Sequence, residues 1–317
     1  PVDLHLRSRG AEGRQAKIHL DDGQTKLTRT VTLNGEDTVH FDLPAARIPR
    51  VTIDAKIDPL PGEIVTSNNA ASAEVSVVDQ KLKVMMIAGS LGWDAQYLRN
   101  ILSRTTWVEL QEQRLQPGES CRFGPDAMAK QDVIILAGVP AEALSAQQID
   151  AIHRAVSEEG TSVLIVDVEP ETLLSYAQQP LLATLLPYRV DQRPAWRQTP
   201  ADEPTILAVP APQASMIPLL RLDDSTEGSL SKWLARPRLY RSLDVGQLKP
   251  QAAALLVDRQ TQAPLLIEQS IGAGRSAMMA TSELWRWRRD LGADAHDRFW
   301  LQLVRHLIEP PYEDRKS

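Results

Sequence analysis

The sequence predicts an all-β segment followed by an α/β domain with a mainly parallel sheet. Three observations carry this. Apolar residues alternate with period two from the start to about residue 79. From about residue 80 the pattern becomes short, continuously apolar strands separated by helical stripes. A chain of 317 residues with 43% hydrophobic content is long enough for two separate cores.

In the first segment, "VDLHLRS" places Val2, Leu4 and Leu6 on one face. "AKIHLDDGQTKLTRTVTL" reads as strand, turn, strand, with Asp22 and Gly23 at the turn. "DTVHFDLP", "RVTIDAKIDP" and "ASAEVSVVD" continue the alternation, and none of this region has helical spacing. Several short strands with turn signals predict a β-sandwich over 1–79.

The domain over 80–317 opens with "LKVMMIAG", a strand buried on both faces. Trp93, Tyr97, Leu98, Ile101 and Leu102 follow at helical spacing, with Trp93 expected as the first core contact of a helix. "DVIILAGVP" and "TSVLIVDVEP" are further buried strands. Between them, "SAQQIDAIHRAVSEEG" is a helix with Ser145 as its cap and Gly160 beyond its end. The stretch at about 190–250 reads as an irregular insertion over the sheet. Two or three strands joined by turns at 260–262 and 272–274 come next, and the chain ends in a helix with Phe299, Trp300, Leu303, Val304, Leu307 and Ile308 on one face.

The formal net charge of -6 weighs against a nucleic-acid partner. The single cysteine, Cys121, excludes an internal disulfide and a multi-cysteine metal site. No apolar run reaches the ~20 residues of a membrane helix. The chain begins at Pro1 with a strand pattern already under way, so it reads as a piece of a longer polypeptide whose flanks hold the membrane segments.

"SNNAASAEVSVVDQKLKVMMIAGSLGWDAQYLRNILSR", "DVIILAGVP", "GAGRSAMMATSELWRWRR" and "HDRFWLQLVRHL" together resemble a family of bacterial membrane proteins. In that family an immunoglobulin-like, adhesion-type domain leads into a domain similar to class I glutamine amidotransferases, and von Willebrand factor A domains often accompany them. The resemblance implies an immunoglobulin-like sandwich and a flavodoxin-like, amidotransferase-like α/β domain. It also implies a membrane-associated, extracytoplasmic setting. Amidotransferase chemistry itself needs a cysteine on a sharp turn after a strand, activated by a neighbouring base. The strand "TSVLIVDVEPE" stands where that turn belongs and offers Asp167 and Val168. None of the histidines at 5, 19, 40, 153, 296 and 306 has Glu two residues on, and Cys121 reads as a loop thiol. No catalytic residue, cofactor or metal is therefore expected.

Candidate ligand-binding residues remain at the carboxyl edge of the sheet, where open α/β folds collect ligands. Gly89 and Ser90 either present N–H groups to an anion or begin a helix. Asp167 either meets a cation or an arginine, or caps a turn. Trp285, Trp287 and Trp300 are expected to seal the last helix, with arginines stacked over them. Some of Arg275, Arg286 and Arg288 are expected to face the hollow near Ser90 and Asp167, and His296 is placed in the same set. Asp223, Asp224 and Glu227 lack the spacing of a calcium loop and read as a solvated acidic turn. The expected function is a non-catalytic module binding a protein or a small acidic ligand. The alternative is a degenerate or repurposed hydrolase using the pocket at the sheet edge.

Overall fold

The computed structural model describes residues 2–41, 50–63, 66, 68–76, 81–89, 92–200, 203–215, 217–223 and 226–308. The chain divides into two compact units, Pro1–Gln80 and Lys81–Ser317.

The first unit is all β. Its strands are β1 (Val2–Arg7), β2 (Gln15–Asp21), β3 (Lys26–Thr32), β4 (Glu36–Phe41), β5 (Arg50–Ile57) and β6 (Ala70–Ser76). β1 pairs with β4, and a second antiparallel sheet runs in the order β3-β2-β5-β6. Both sheets feed one core. Ile18 and Leu20 from β2 and Ile53 from β5 meet Val39 and Phe41 from β4, with Leu4 and Leu6 of β1 packed against them. The period-two alternation makes this possible, because every second side chain reaches the shared interior. At the β2–β3 turn Gly23 adopts φ 81°, and Asp22 accepts N–H bonds from Gln24 and Thr25.

The second unit contains β7 (Leu82–Ala88), α1 (Trp93–Arg104), β8 (Val108–Arg114), α2 (Pro125–Met128), β9 (Val133–Ala137), α3 (Ala146–Glu158) and β10 (Ser162–Val166). It continues with α4 (Pro170–Ala177), α5 (Pro180–Leu185), β11 (Ala195–Gln198), β12 (Ala208–Pro210), α6 (Thr226–Leu234) and β13 (Arg241–Asp244). β14 (Ala252–Asp258), β15 (Pro264–Ile271), β16 (Gly274–Met279), α7 (Trp285–Leu291) and α8 (Ala293–Ile308) complete it. One eight-stranded sheet runs β12-β14-β15-β16-β10-β9-β7-β8. The run from β16 to β8 is parallel, whereas β12, β14 and β15 add antiparallel pairings, so the sheet is mixed.

Helices cover both faces. Val84 and Met86 of β7 point to the core shared with α1, α7 and α8, and Met85 and Ile87 point to the one shared with α3, α4 and α5. A strand buried this way needs apolar residues at every position, which is why "KVMMIAG" carries no alternation. Ser145 caps α3 in a reciprocal box with Gln148, and each side chain accepts the other residue's N–H.

The stretch at about 190–250 is more than an irregular cover. It supplies β12 to the sheet edge, and β11 pairs with β13 as a separate ribbon. It also sends Trp233 into the core, where the indole N–H donates to the Leu220 carbonyl at 2.8 Å. Trp233, Trp287 and Phe299 pack edge to face, with centroids 5.4–6.4 Å apart, and Trp300 adjoins Phe299 at 5.7 Å. The arginine stacked among these rings is Arg236, 4.3 Å from the Trp233 centroid and 4.2 Å from that of Trp287. The expected stacking by neighbouring arginines holds for Arg286 over Trp285, at 4.5 Å, whereas the arginine over Trp287 is Arg236.

Trp300 is fully buried and donates its indole N–H to His296 Nε2. Trp300→Ala should therefore lower stability by about 3–5 kcal/mol. Thermal melts followed by circular dichroism check this, and a melting temperature equal to the parent's would count against a structural role.

Candidate functional site at the carboxyl edge of the sheet

Beyond the end of β10 the chain turns at Asp167, whose φ of 50° lies in the left-handed region that non-glycine residues seldom adopt. α4 starts three residues later with Pro170 in its first turn. The tight turn directs the Asp167 carboxylate across the sheet edge to the start of α1. There Oδ2 accepts the Ala95 N–H at 2.8 Å. α1 begins after Gly92, which has no side chain to cap it, so a residue 72 positions away satisfies one of its open N–H groups. Gly92 has an ordinary negative φ of -57° and is required for space. A Cβ there would lie 1.9 Å from Asp167 Oδ2.

Two more carboxylates repeat this arrangement. Asp94 is 1% exposed, and its two oxygens accept the N–H groups of Leu284 at 3.0 Å and Trp285 at 2.6 Å, where α7 begins. Glu283 accepts from the N–H groups of Tyr240 at 2.6 Å and Arg241 at 3.2 Å, at the start of β13. Its other oxygen pairs with Arg286 at 3.2 Å. Three buried acids thus tie α1, α7 and β13 into one edge.

Burial sets the protonation of this group. It pushes Asp94 well above the usual carboxylate range. The Asp167 charge adds to the rise, and the Leu284 and Trp285 N–H groups oppose it. Burial likewise raises Asp167 to about 6, against the Ala95 N–H bond and the Arg241 charge. Asp167 Oδ1 is buried with no hydrogen-bond partner among the described residues. Arg241 itself stacks on Trp196 at 4.2 Å and approaches Glu169 at 3.8 Å. Nothing in the local pattern "RLYRSLD" marks Arg241 as part of this edge, since the contact depends on the pairing of β11 with β13.

The other expected residues are distributed differently. The Gly89 N–H extends the ladder by donating to Ala137 at 2.9 Å, so it offers nothing to an anion. Ser90 lies outside the described residues, as does Asp224 of the acidic turn. Asp223 in that turn pairs with Lys232, and no cluster of three potential metal ligands forms among the described residues. Arg286 is at the edge, against Glu283 and over the rings of Tyr240 and Trp285 at 4.5 Å each. Arg288 instead pairs with Asp297 and covers Tyr97.

Arg275 is at the opposite end of the sheet. It pairs in register with Ser162, the first residue of β10, and binds the His306 carbonyl. The arginine whose charge opposes the rise at Asp167 is therefore Arg241, rather than one of the three expected. His296 is fully buried between Trp300 and Asp297, and burial lowers its pKa. Because the Trp300 N–H donates to Nε2, the neutral ring keeps its proton on Nδ1, facing Asp297. His296 is thus a packed core histidine, outside the edge. Cys121 is buried beside Leu115 and Met128 on the other face of the sheet, and burial pushes its thiol up.

Trp93 corrects one further expectation. It lies 56% exposed outside the core, stacked on Tyr97 with centroids 6.1 Å apart and 6.2 Å from Trp285. With Arg286 over Trp285, these rings form a partly exposed aromatic strip beside the carboxylates, in which Trp93 is exposed and Tyr97 and Trp285 are half-buried.

Gly92→Ala should displace the Asp167 carboxylate from Ala95 and cost about 1–2 kcal/mol, the usual value of a lost helix cap. Denaturant titration measures this, and an unchanged midpoint would mean that the close approach is dispensable. Asp167→Asn should show a dependence on pH. A carboxyl group raised to about 6 in the folded chain, from ~3.9 when unfolded, loses favourable folding energy as pH rises through that window. Asparagine carries no such charge, so the stability of the variant relative to the parent should climb between about pH 4 and 6.5 and then level off. Melts of both proteins across that range check it, and a constant difference would contradict the raised pKa.

No family model and no curated protein matches the chain. Among solved structures it is similar to Cytoplasmic Protein STM1381 from Salmonella typhimurium LT2, at 15% identity and a TM-score of 0.53, covering 72% of this chain and 100% of that one. It is also similar to Cytoplasmic Protein STM3548 from Salmonella typhimurium, at 15% identity and a TM-score of 0.54, covering 71% and 99%. At such identity the similarity is one of fold. It corrects the expected membrane-associated, extracytoplasmic setting, since both of these proteins are named as cytoplasmic. Among the described residues, moreover, no helix is long and apolar enough to cross a membrane.

Proposed function

We propose that this chain is a non-catalytic interaction module that binds a protein partner through the aromatic strip of Trp93, Tyr97 and Trp285. The observation that carries this reading is the position of Asp167. It occupies the turn where an amidotransferase-like domain would hold its nucleophile, yet its carboxylate is 4% exposed and bonded to Ala95. With Oδ2 held at the helix start and Oδ1 buried, this carboxylate is not presented to a substrate as a nucleophile has to be. The amidotransferase-like relationship belongs to the same proposal, and the order β8-β7-β9-β10-β16 supports it, as one flavodoxin-like arrangement of parallel strands. For the first unit the proposal is an immunoglobulin-like sandwich, supported by two antiparallel sheets around one core.

The charge at the edge favours a basic partner over the acidic ligand considered from the sequence. Asp167, Glu169 and Glu283 stand there against Arg241 and Arg286, on a chain of net charge -6, whereas burial pushes Asp94 toward its neutral form. Exposed indoles attract cations through their ring faces. The partner proposed is thus a protein segment presenting lysine or arginine to Trp93, since Trp285 and Tyr97 already carry Arg286 and Arg288.

A second reading, a repurposed hydrolase at this edge, draws on the left-handed backbone of Asp167 and its raised pKa. Ester or amide hydrolysis by the parent, abolished in Asp167→Asn, would establish that reading and displace the first. For the interaction module, calorimetric titration with a lysine-rich peptide and a glutamate-rich counterpart is the test. The lysine-rich peptide should bind preferentially, and Trp93→Ala should weaken it roughly tenfold, the loss of one desolvated cation–π contact, at an unchanged melting temperature. Equal binding by parent and Trp93→Ala would remove the strip from consideration.

A further inference from the structure

A cavity of about 260 Å³ opens between α1 and the carboxyl ends of β7 and β8. Neither Trp93 nor Tyr97 lines it, so it is distinct from the aromatic strip. Met86 and Ala88 from β7 and Ala95 from α1 give it apolar walls. On one side Arg99 of α1 reaches Glu112 of β8 with two bonds of 2.6 and 2.7 Å. That pair satisfies both partners and acts as a wall joining helix to strand.

Arg114 also lines the cavity, and its side chain has no ion pair or hydrogen bond among the described residues. It is the last residue of β8 and stands beside Ala88 in the parallel register. Side chains two apart on a strand share a face, and Glu112 faces α1, so Arg114 faces α1 as well. An uncommitted guanidinium beside an apolar hollow is suited to a planar carboxylate.

We propose that this cavity binds a small amphipathic carboxylate, with its apolar body against Met86, Ala88 and Ala95 and its carboxylate on Arg114. The volume corresponds to roughly nine waters at ~30 Å³ each, which suits an aromatic ring with a short acidic arm. The buried acids do not oppose this. Asp167 caps Ala95 at the Gly92 end of the cavity, so the ligand carboxylate is placed at the other end, on Arg114 of β8, three strands from β10 or about 14 Å at ~4.8 Å per strand. The proposal stands independently of the interaction-module reading.

The test uses phenylacetate and its uncharged amide, phenylacetamide, titrated into the whole chain and followed by amide chemical shifts. Phenylacetate should bind saturably and shift the Met86, Ala88 and Arg114 amides, and phenylacetamide should bind roughly tenfold more weakly, the value of one charge-assisted bond. Arg114→Gln should remove the preference for the acid. Gln96→Trp, at an exposed position on the rim, should block both ligands, with thermal melts confirming that each variant is folded. Absence of saturation by about 10 mM, at the weak end of the affinity scale, would overturn the proposal. So would equal binding of acid and amide, or binding that survives both substitutions.

Discussion

The bond from Asp167 to Ala95 is the contact on which the carboxyl edge depends. A helix start carries partial positive charge and open N–H groups, and in open α/β sheets such a position commonly receives a ligand anion. Here the protein supplies the anion from the end of its own fourth parallel strand, β10. The arrangement requires a left-handed aspartate, a glycine at 92 and a carboxylate removed from water, and each of these is unfavourable alone. What offsets them is a charge-assisted bond at a helix terminus and the rigid placement of α1. With α1 fixed, Asp94 is aimed at the start of α7, and α7 in turn sets Glu283 against β13.

Much of the fold is legible in the sequence because burial imposes a period. The strands "KVMMIAG", "DVIILAG" and "TSVLIV" and the Ser145 cap follow from patterning alone. Asp167 stands out for the same reason, as a charge at the end of an apolar strand. Its partner does not, since a backbone N–H has no sequence signature. Arg275 shows the limit of reading by proximity along the chain. It is close in sequence to Arg286, but β16 runs the length of the sheet between them and carries Arg275 to the other end. Trp93 fits a helical stripe by spacing, yet the stripe that is buried runs through Leu98, Ile101 and Leu102. The membrane setting is an expectation of the resemblance alone, and among the described residues no helix is long and apolar enough to cross a membrane.

Arg236 illustrates how a cation is tolerated inside an aromatic core. It is 5% exposed, and burial lowers its pKa to about 10. Its Nε and Nη1 have no hydrogen-bond partner among the described residues. The compensation comes from two indole rings set edge to face, at 4.3 and 4.2 Å from the guanidinium. Desolvated contacts of this kind contribute up to ~2 kcal/mol or more each, comparable with the ~1–3 kcal/mol cost of an unmade hydrogen bond. The stacked guanidinium joins the segment after α6 to α7, which explains why an apparently irregular stretch is held firmly to the core.

The reach of Asp94 has a consequence for when the edge comes into being. α7 has seven residues, fewer than an isolated helix needs to persist in water. Its first N–H groups are held by a residue 190 positions earlier in the chain. During synthesis α1 can dock on the early strands, but Asp94 meets its partners only after the chain as far as Trp285 has emerged. Trp285 joins Trp93 and Tyr97 only at that stage, so the complete aromatic strip is missing from any growing chain that stops short of it.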